Sequence, residues 1–306
     1  MGAFSASRDW GRLLTALITP FDESGEVDHN ELARVAAYAV DQQRNDGLVI
    51  SGTTGESPTL SPEEKLACLE TVLEAVGDRA AVLFGAGTYD TRESVKMATE
   101  GERRGAHGIM LVNPYYSKPG QRGLVEHFRT IAQSVGAPVL LYNIQPRSSI
   151  NLEIPGLLEL AQEPNIVAVK EASGMLGQIS EVIRQAPPGF RVYSGDDNLT
   201  LPILALGGYG VVSVTGQAVG ALIKRMIEIF PTDPAGAAAI HHELAPFTAA
   251  CFASPNPVPI KYAMSRLGFG SERVRLPLVE MTGWEKLPLN GTMNLKDQPE
   301  PVAVGA

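Results

Sequence analysis

Lys170 is the residue of this sequence whose position points most directly to chemistry. It ends the apolar, β-branched run IVAVK and is followed at once by Glu171. A lysine is rarely fully buried unless it forms an ion pair or has a functional role. Glu171 is a poor partner, because neighbouring side chains in a strand point to opposite faces. Side chains two apart share a face, so we expect Lys170 to lie in line with Ile166 and Ala168. A desolvated lysine has a lowered pKa and can attack a carbonyl to form a Schiff base.

Polar groups also follow other apolar runs. The stretch GTTGES (52–57) offers free backbone N–H groups and two hydroxyls that suit a carboxylate, although a plain turn before a helix cap has the same composition. The stretch PYYSKP (114–119) offers adjacent phenols, a pair that packs more often than it catalyses. Tyr142 ends another run and can shuttle protons. Arg147, five residues later, can hold a second carboxylate in bidentate fashion, although loop arginines are usually just solvated.

The elements that must position these groups alternate along the chain. Eight apolar runs are continuous rather than alternating, which is typical of strands buried on both faces. They span residues 13–20, 47–52, 80–87, 108–114, 138–144, 166–172, 191–197 and 210–216. Amphipathic stretches separate them, with helix N-caps predicted at Asp28 and Ser61. This pattern predicts an α/β fold, a (β/α)8 TIM barrel, in which chemistry lies at the carboxyl ends of the strands. A doubly wound open sheet is the alternative, but it usually opens with a glycine fingerprint after its first strand.

The order of the patterns predicts how the chain is divided. Residues 1–11 are expected to form an N-terminal extension and residues 12–232 the barrel. The pattern then becomes purely helical, which predicts a C-terminal helical appendage over residues 233–287. Residues 288–306 are rich in Pro, Gly and Asn without periodicity, so we expect an irregular tail.

Composition excludes several classes of function. The chain has 306 residues, 44% of them hydrophobic, and a net charge of −9, so it can build a large core and lacks the basic footprint of a nucleic-acid-binding protein. It has no run of 18 apolar residues and no signal-peptide pattern, which predicts a cytoplasmic protein without a membrane span. Cys68 and Cys251 are expected to be core residues rather than a disulfide. The five histidines show no ligand spacing, so no metal site is predicted.

Taken together, the motifs resemble the dihydrodipicolinate synthase / N-acetylneuraminate lyase family of class I, pyruvate-dependent aldolases. The resemblance covers about residues 12–282. Its carriers are GTTGES, NPYYSKP, Tyr142 with Arg147, and VKEASG around Lys170, supported by SGDD (194–197), GVVSV (210–214) and NPVPIK (256–261). The double threonine and the arginine are similar to family members that condense pyruvate with L-aspartate 4-semialdehyde in diaminopimelate and lysine biosynthesis. Sialic-acid lyases of the family typically carry a serine–threonine pair and lack that arginine.

The resemblance implies four catalytic residues. Lys170 would attack the ketone of pyruvate and, as the enamine, present a carbon nucleophile to the aldehyde. Tyr142 would relay protons, Thr54 would hydrogen-bond Tyr142, and Tyr116 would complete the relay in the site of a neighbouring subunit. A homodimer or homotetramer is therefore expected. No metal or organic cofactor is implied, because the imine itself is the electron sink.

The resemblance also implies a set of binding residues. Thr53 and Thr54 would hold the carboxylate of pyruvate, partly through backbone N–H groups, and Arg147 would bind the carboxylate of the semialdehyde. Gly195 and Val212 would contribute backbone carbonyls near the site.

The sequence departs from the family pattern after Tyr142, where the family usually has NVPSRTG or NIPGRSG. Here the stretch is NIQPRSS, with the proline displaced and Ser149 in place of a glycine that can adopt positive φ. Another pyruvate aldolase or hydratase–aldolase of the family, acting on a sugar acid or an aromatic aldehyde, therefore remains open. So does a barrel with a purely binding or structural role, although such a chain would be expected to lose Lys170 or Tyr142.

Feedback inhibition by lysine is not expected. Family members inhibited by lysine bind it in a pocket lined by the helix after GTTGES, the loop after the third strand and the first tyrosine of the YY pair. Sensitive members of the enterobacterial type carry histidines where Pro62 and Lys65 stand here, and an asparagine where Tyr89 stands. Glu93 and Tyr115 are retained, but Lys65 would repel a cationic ligand.

Overall fold

The computed structural model describes residues 8–292, in which eight parallel strands close into a barrel. Each strand pairs with its neighbours in sequence, and β8 pairs with β1. The strands are β1 Leu13–Ala16, β2 Gly47–Ile50, β3 Ala81–Gly85, β4 Gly108–Val112, β5 Val139–Asn143, β6 Ile166–Glu171, β7 Arg191–Ser194 and β8 Gly210–Ser213. The predicted (β/α)8 barrel is confirmed, and all eight predicted strands are present. Each strand stops before its apolar run ends, because the last residues of the run turn into the loops above the barrel.

Helices surround the barrel. Within the described residues they are α1 His29–Asp41, α2 Pro62–Val76, α3 Thr91–Arg103, α4 Gln121–Ala132, α5 Gln145–Ser148, α6 Ile154–Leu160, α7 Leu176–Gln185, α8 Thr200–Ala205, α9 Gly216–Ile229, α10 Pro234–Cys251, α11 Val258–Arg266 and α12 Leu287–Thr292. Both predicted caps are confirmed. The Asp28 carboxylate accepts the N–H of Glu31 at 2.9 Å, and Ser61 and Glu64 form a reciprocal capping box.

Two apolar cores result from strands that are covered on both faces. The outer core lies between the strands and the helices and includes Leu48, Val169 and Ile179. The inner core fills the barrel with Leu14, Val49, Leu83, Leu140, Ala168, Tyr193 and Val212, among others. Both buried cysteines are free thiols in the outer core, as predicted. Among the described residues, none of the helices combines the length and the apolar character that a membrane span requires.

Trp10 closes the amino end of the barrel. Its ring is fully buried in the inner core, and its Nε1 donates to the carbonyl oxygen of His107 at 3.0 Å. Gly108 must lack a side chain here, since a Cβ would lie 2.3 Å from the Trp10 ring. Residues 8–11 thus pack as part of the barrel rather than as an extension, because an open barrel end would leave apolar surface in water. Residues 1–7 lie outside the described residues.

Strand β6 contains a bulge that changes the expected face of one residue. Ile166 pairs with Val139, but the next partner, Leu140, pairs with Ala168, so Val167 is the additional residue. Such a bulge interrupts the alternation of side chains. Ile166 therefore lies in the outer core, and the expectation that it shares the face of Lys170 is wrong, whereas Ala168 lies inside as predicted.

The chain after the barrel is helical, and it is ordered further than the composition indicates. Helix α10 packs on α9, and α12 packs back on α10. In α12, Leu289 is fully buried and Asn290 Oδ1 accepts from the Tyr262 hydroxyl at 2.7 Å. The prediction of an irregular tail from residue 288 is wrong over 288–292, because Pro288 is tolerated in the first turn of a helix and Leu289 finds a core to enter. Residues 293–306 lie outside the described residues.

Candidate active site

Lys170 and Tyr142 face each other inside the carboxyl end of the barrel. They are register partners on β6 and β5, and each side chain is 4% exposed. The Lys170 Nζ atom lies 4.1 Å from the centroid of the Tyr142 ring. Both residues line a cavity of about 40 Å³, and the predicted placement of Lys170 at the barrel mouth is confirmed.

Glu171 points the other way, as strand alternation requires. Its carboxylate accepts hydrogen bonds from Asn143 Nδ2 at 2.6 Å and from the Ser173 hydroxyl at 2.6 Å. Burial raises the pKa of Glu171, and these hydrogen bonds oppose that rise. The Glu171 carboxylate therefore has its hydrogen-bond partners on the outer face and does not pair with Lys170.

Burial decides the protonation of Lys170. Loss of water lowers its pKa from 10.5 to about 7; the Asp197 carboxylate opposes this change and the Arg147 guanidinium adds to it. Asp197 is itself fixed, since it accepts the N–H of Val214 at 2.9 Å and the Thr215 hydroxyl at 2.8 Å. About half of the Lys170 side chains are therefore neutral at pH 7 and can act as nucleophiles.

Tyr142, in contrast to Lys170, keeps its proton at neutral pH. Burial raises the pKa of its phenol to about 12, although the Arg147 charge and a hydrogen bond with the Thr53 side chain lower it. The phenol is therefore protonated at neutral pH and can donate a proton to a group bound beside Lys170.

The two threonines of GTTGES have different partners from those expected. The hydrogen bond that affects the Tyr142 phenol comes from the Thr53 side chain. The Thr54 hydroxyl instead accepts Nδ2 of Asn256 at 3.0 Å and is buried. Among the described residues the Thr54 hydroxyl thus bonds to Asn256, and Thr53 is the threonine that acts on the pKa of the Tyr142 phenol. Both threonines line the Lys170 cavity.

Gly195 lies against the base of the lysine side chain. A Cβ at Gly195 would lie 3.0 Å from Cγ of Lys170 and 2.7 Å from Cβ of Ala172. Its N–H donates to the Glu171 carbonyl oxygen at 2.7 Å. Gly195 thus lines the cavity, and any larger residue would displace Lys170. The Val212 side chain is fully buried in the inner core.

Arg147 stands at the opening of the cavity. It belongs to the single turn α5, is exposed, and lines both the Lys170 cavity and an adjoining cleft of about 210 Å³. Ser149, which ends this turn, has φ 61°, so the serine occupies the left-handed conformation for which a glycine is better suited. The altered stretch thus keeps the turn and presents Arg147 to the cavity.

Tyr116 is not brought to the site within one chain. Its side chain is 91% exposed and its φ is 71°, a left-handed conformation that is uncommon for a tyrosine. Its neighbour Tyr115 instead lines the cleft of about 210 Å³ that adjoins the cavity. Among the described residues no group of three His, Cys, Asp or Glu side chains is placed to hold a metal ion.

Comparison with known proteins identifies the family of this chain. Residues 9–295 match the model of the Dihydrodipicolinate synthetase family. The chain belongs to this family. It is 50% identical to the 4-hydroxy-tetrahydrodipicolinate synthase of Moorella thermoacetica over 278 residues, which are 90% of this chain and 95% of the relative.

Solved structures agree in fold. The dihydrodipicolinate synthase of Cyanidioschyzon merolae, solved with lysine bound, superposes with a TM-score of 0.91 at 41% identity over 93% of this chain and 97% of the other. The dihydrodipicolinate synthase of Bacillus anthracis gives a TM-score of 0.91 at 38% identity over 93% and 98% of the two chains. This member of the dihydrodipicolinate synthetase family therefore shares its barrel with both solved structures over nearly their whole length.

Two residues of this family member became apparent only in the structure. Asp197 supplies the carboxylate that acts on Lys170, and Asn256 lines the cavity with its Oδ1 atom buried and without a hydrogen-bond partner among the described residues. The motifs SGDD and NPVPIK contain them, but motif membership alone gives neither residue a contact. The position of Asp197 just after β7, the neighbour of β6, is the signal from which its proximity to Lys170 could have been inferred.

Proposed function

We propose that this chain is a 4-hydroxy-tetrahydrodipicolinate synthase, which condenses pyruvate, as a lysine-bound enamine, with L-aspartate 4-semialdehyde. One observation carries the proposal. A fully enclosed lysine with a pKa of about 7 lies 4.1 Å from the ring of a protonated tyrosine at the carboxyl end of the barrel. The relatives at 44–50% identity that carry this name support the choice of reaction.

The chemistry begins on Lys170. The neutral amine adds its electron pair to the ketone carbon of pyruvate, and the oxygen takes up a proton to give a carbinolamine. Tyr142 donates the proton with which that hydroxyl leaves as water, which produces the protonated imine. The Tyr142 phenolate takes up a methyl proton to give the enamine, whose carbon attacks the aldehyde carbon while the phenol returns that proton to the aldehyde oxygen. The attack restores an imine at Lys170, and the amino group of the semialdehyde then replaces the Lys170 nitrogen at the imine carbon, which closes the ring and releases the lysine as a free amine. The protonated imine serves as the electron sink, so the reaction uses no metal or organic cofactor.

Substrate carboxylates are held on two sides. Thr53 and Thr54 bind the carboxylate of pyruvate through hydroxyl and backbone N–H groups, and Gly195 and Val212 supply carbonyl oxygens near the lysine. Arg147 binds the carboxylate of the semialdehyde at the opening, where a guanidinium can engage both oxygens. Its position on the wall shared by the cavity and the cleft supports this role.

The enzyme acts as a homodimer or homotetramer in the cytoplasm. Tyr116 reaches the site of a neighbouring subunit and completes the proton relay with Tyr142 and Thr53. The support is that the Tyr116 side chain is 91% exposed and its backbone is left-handed, so within the described residues it points away from its own site. Sedimentation of the purified protein measures the assembly directly.

A second function within the family is favoured by one observation. The displaced proline of NIQPRSS makes Pro146 the residue that precedes Arg147 in α5, and a change beside the residue that faces the aldehyde favours an aldehyde other than the semialdehyde, such as a sugar acid or an aromatic aldehyde. A coupled assay decides between them, with pyruvate held constant and aspartate semialdehyde compared with a panel of such aldehydes. The synthase predicts the highest kcat/KM for the semialdehyde; a higher value for another aldehyde would assign the second function.

A further inference from the structure

Glu56 and Lys261 form an ion pair that is sealed inside the protein. The Lys261 Nζ atom lies 2.6 Å from Oε1 of Glu56, and the two side chains are 0% and 1% exposed. The other carboxylate oxygen accepts the backbone N–H of Arg275 at 3.0 Å. Removing two charges from water is so unfavourable that a buried pair is often no more stabilising than an apolar pair of the same shape. Stability alone therefore gives no reason for this pair.

The location of the Glu56–Lys261 ion pair provides a reason for it. Glu56 lies two residues after Thr54, in the loop that follows β2, and its φ of 55° is left-handed. The intervening Gly55 is fixed too, since its carbonyl oxygen accepts the Thr19 hydroxyl at 2.8 Å. With so short a connection, a displacement of the Glu56 backbone also displaces the backbone N–H groups and hydroxyls of the two threonines.

The partner of Glu56 is equally well anchored. Lys261 belongs to α11, and its Nζ atom also lies 4.0 Å from the centroid of the Phe21 ring. Five residues earlier in the chain, Asn256 donates to the Thr54 hydroxyl. One short segment, Asn256 to Lys261, thus contacts the threonine loop at two points, one at Thr54 and one at Glu56.

We infer that Glu56 and Lys261 are positioning residues, which hold the threonine loop against Lys170 and so set the affinity of the site for the carboxylate of pyruvate. The inference rests on the proposed function in assigning that carboxylate to Thr53 and Thr54. Neither Glu56 nor Lys261 lines the Lys170 cavity. Their effect is therefore exerted through the loop and not through contact with the substrate.

The test removes both charges at once with the double variant Glu56→Gln/Lys261→Met, because a single change would leave a buried charge unpaired. A matched control exists at the other end of the same strand. Lys224 on α9 pairs with Asp46, which precedes β2, at 2.6 Å, and Asp46→Asn/Lys224→Met removes that pair. The measurement is the pyruvate concentration that half-saturates borohydride trapping of the imine, with the limiting trapping rate and the melting temperature recorded alongside.

For the Glu56/Lys261 variant we expect the half-saturating pyruvate concentration to rise at least about 10-fold, which is the loss of affinity typical of a displaced charged hydrogen bond. Its limiting trapping rate should stay close to that of the wild type. The Asp46/Lys224 control should stay within about twofold of the wild type for pyruvate. Equal half-saturation in both variants, with only the melting temperature lowered, would overturn the inference.

A fallback variant and the choice of pyruvate alone as ligand allow the inference to be tested even if the double variant does not fold. If the double variant does not fold, Glu56→Asp keeps both charges, shortens the carboxylate arm by one methylene and must also weaken half-saturation by pyruvate; unchanged half-saturation would again overturn the inference. Trapping uses pyruvate alone, so the result does not depend on the identity of the aldehyde. Absence of any pyruvate adduct in the wild type would instead contradict the proposed function.

Discussion

The rate at which Lys170 forms an imine with pyruvate should depend on pH with an inflection near 7. An ordinary lysine with a pKa of 10.5 is neutral in about three molecules in ten thousand at pH 7, whereas a pKa of about 7 leaves about half of them neutral. Burial therefore raises the concentration of the nucleophilic form about 10³-fold at neutral pH. Because the free amine is the reacting species, the rate should rise about tenfold per pH unit below 7 and level off above it.

The assay is reductive trapping with cyanoborohydride at low pyruvate concentration, over a range from about 1.5 pH units below the inflection to about 2.5 units above it. Peptide mapping should find the adduct on Lys170. An adduct on Lys261 or Lys118 would contradict the assignment. A rate that still rises steeply above pH 9 would show that the amine has an ordinary pKa and that the argument from burial is wrong.

Two variants move the inflection in opposite directions. Asp197 raises the pKa of Lys170, so Asp197→Asn should move the inflection to lower pH. Arg147 lowers that pKa, so Arg147→Ala should move the inflection to higher pH. Shifts of the same sign in both variants would mean that a general change in solvent access, rather than these two charges, controls the amine.

The remaining predictions concern Tyr142, Arg147 and lysine. Tyr142→Phe removes one hydroxyl and almost no volume, so the melting temperature should change little while kcat falls on the order of 10²–10⁴-fold; activity within a few-fold of the wild type would make the tyrosine a packing residue. Arg147→Ala should raise KM for the semialdehyde much more than KM for pyruvate, because a lost charged hydrogen bond costs about 1.5–3 kcal/mol; equal effects on both substrates would favour a different aldehyde. L-Lysine should inhibit poorly, because Lys65 would repel this cation and because Tyr89, whose ring lies edge-on to Tyr115 at 5.3 Å, stands where lysine-sensitive family members carry an asparagine. Half-inhibition below about 1 mM in a steady-state assay would refute this.

The barrel and the position of Lys170 in its mouth could be predicted because both depend on local patterns. Continuous apolar runs identify strands buried on both faces, and a parallel barrel brings all their carboxyl ends together. A lysine at the end of such a run, and a tyrosine at the end of the preceding one, must then be neighbours. Lys170 and Tyr142 are register partners for this reason.

Other features depend on contacts that no local pattern contains. The bulge at Val167 lies in a run of similar apolar residues, so nothing in the sequence distinguishes it from a regular strand. The choice between Thr53 and Thr54 as partner of the phenol depends on the path of a turn. Glu56 and Lys261 are 205 residues apart in sequence, and each alone resembles a solvated charge. Their pairing is determined by how α11 docks over the barrel.

That docking has a consequence for the order in which the enzyme becomes competent during synthesis. Phe252 and Asn256 form part of the wall around Lys170, and they leave the ribosome after every barrel strand has done so. Without these two residues that side of the cavity is open, and contact with water raises the pKa of a lysine because water stabilises the ammonium form. The burial that lowers the pKa of Lys170 is therefore complete only when the last helices cover the barrel.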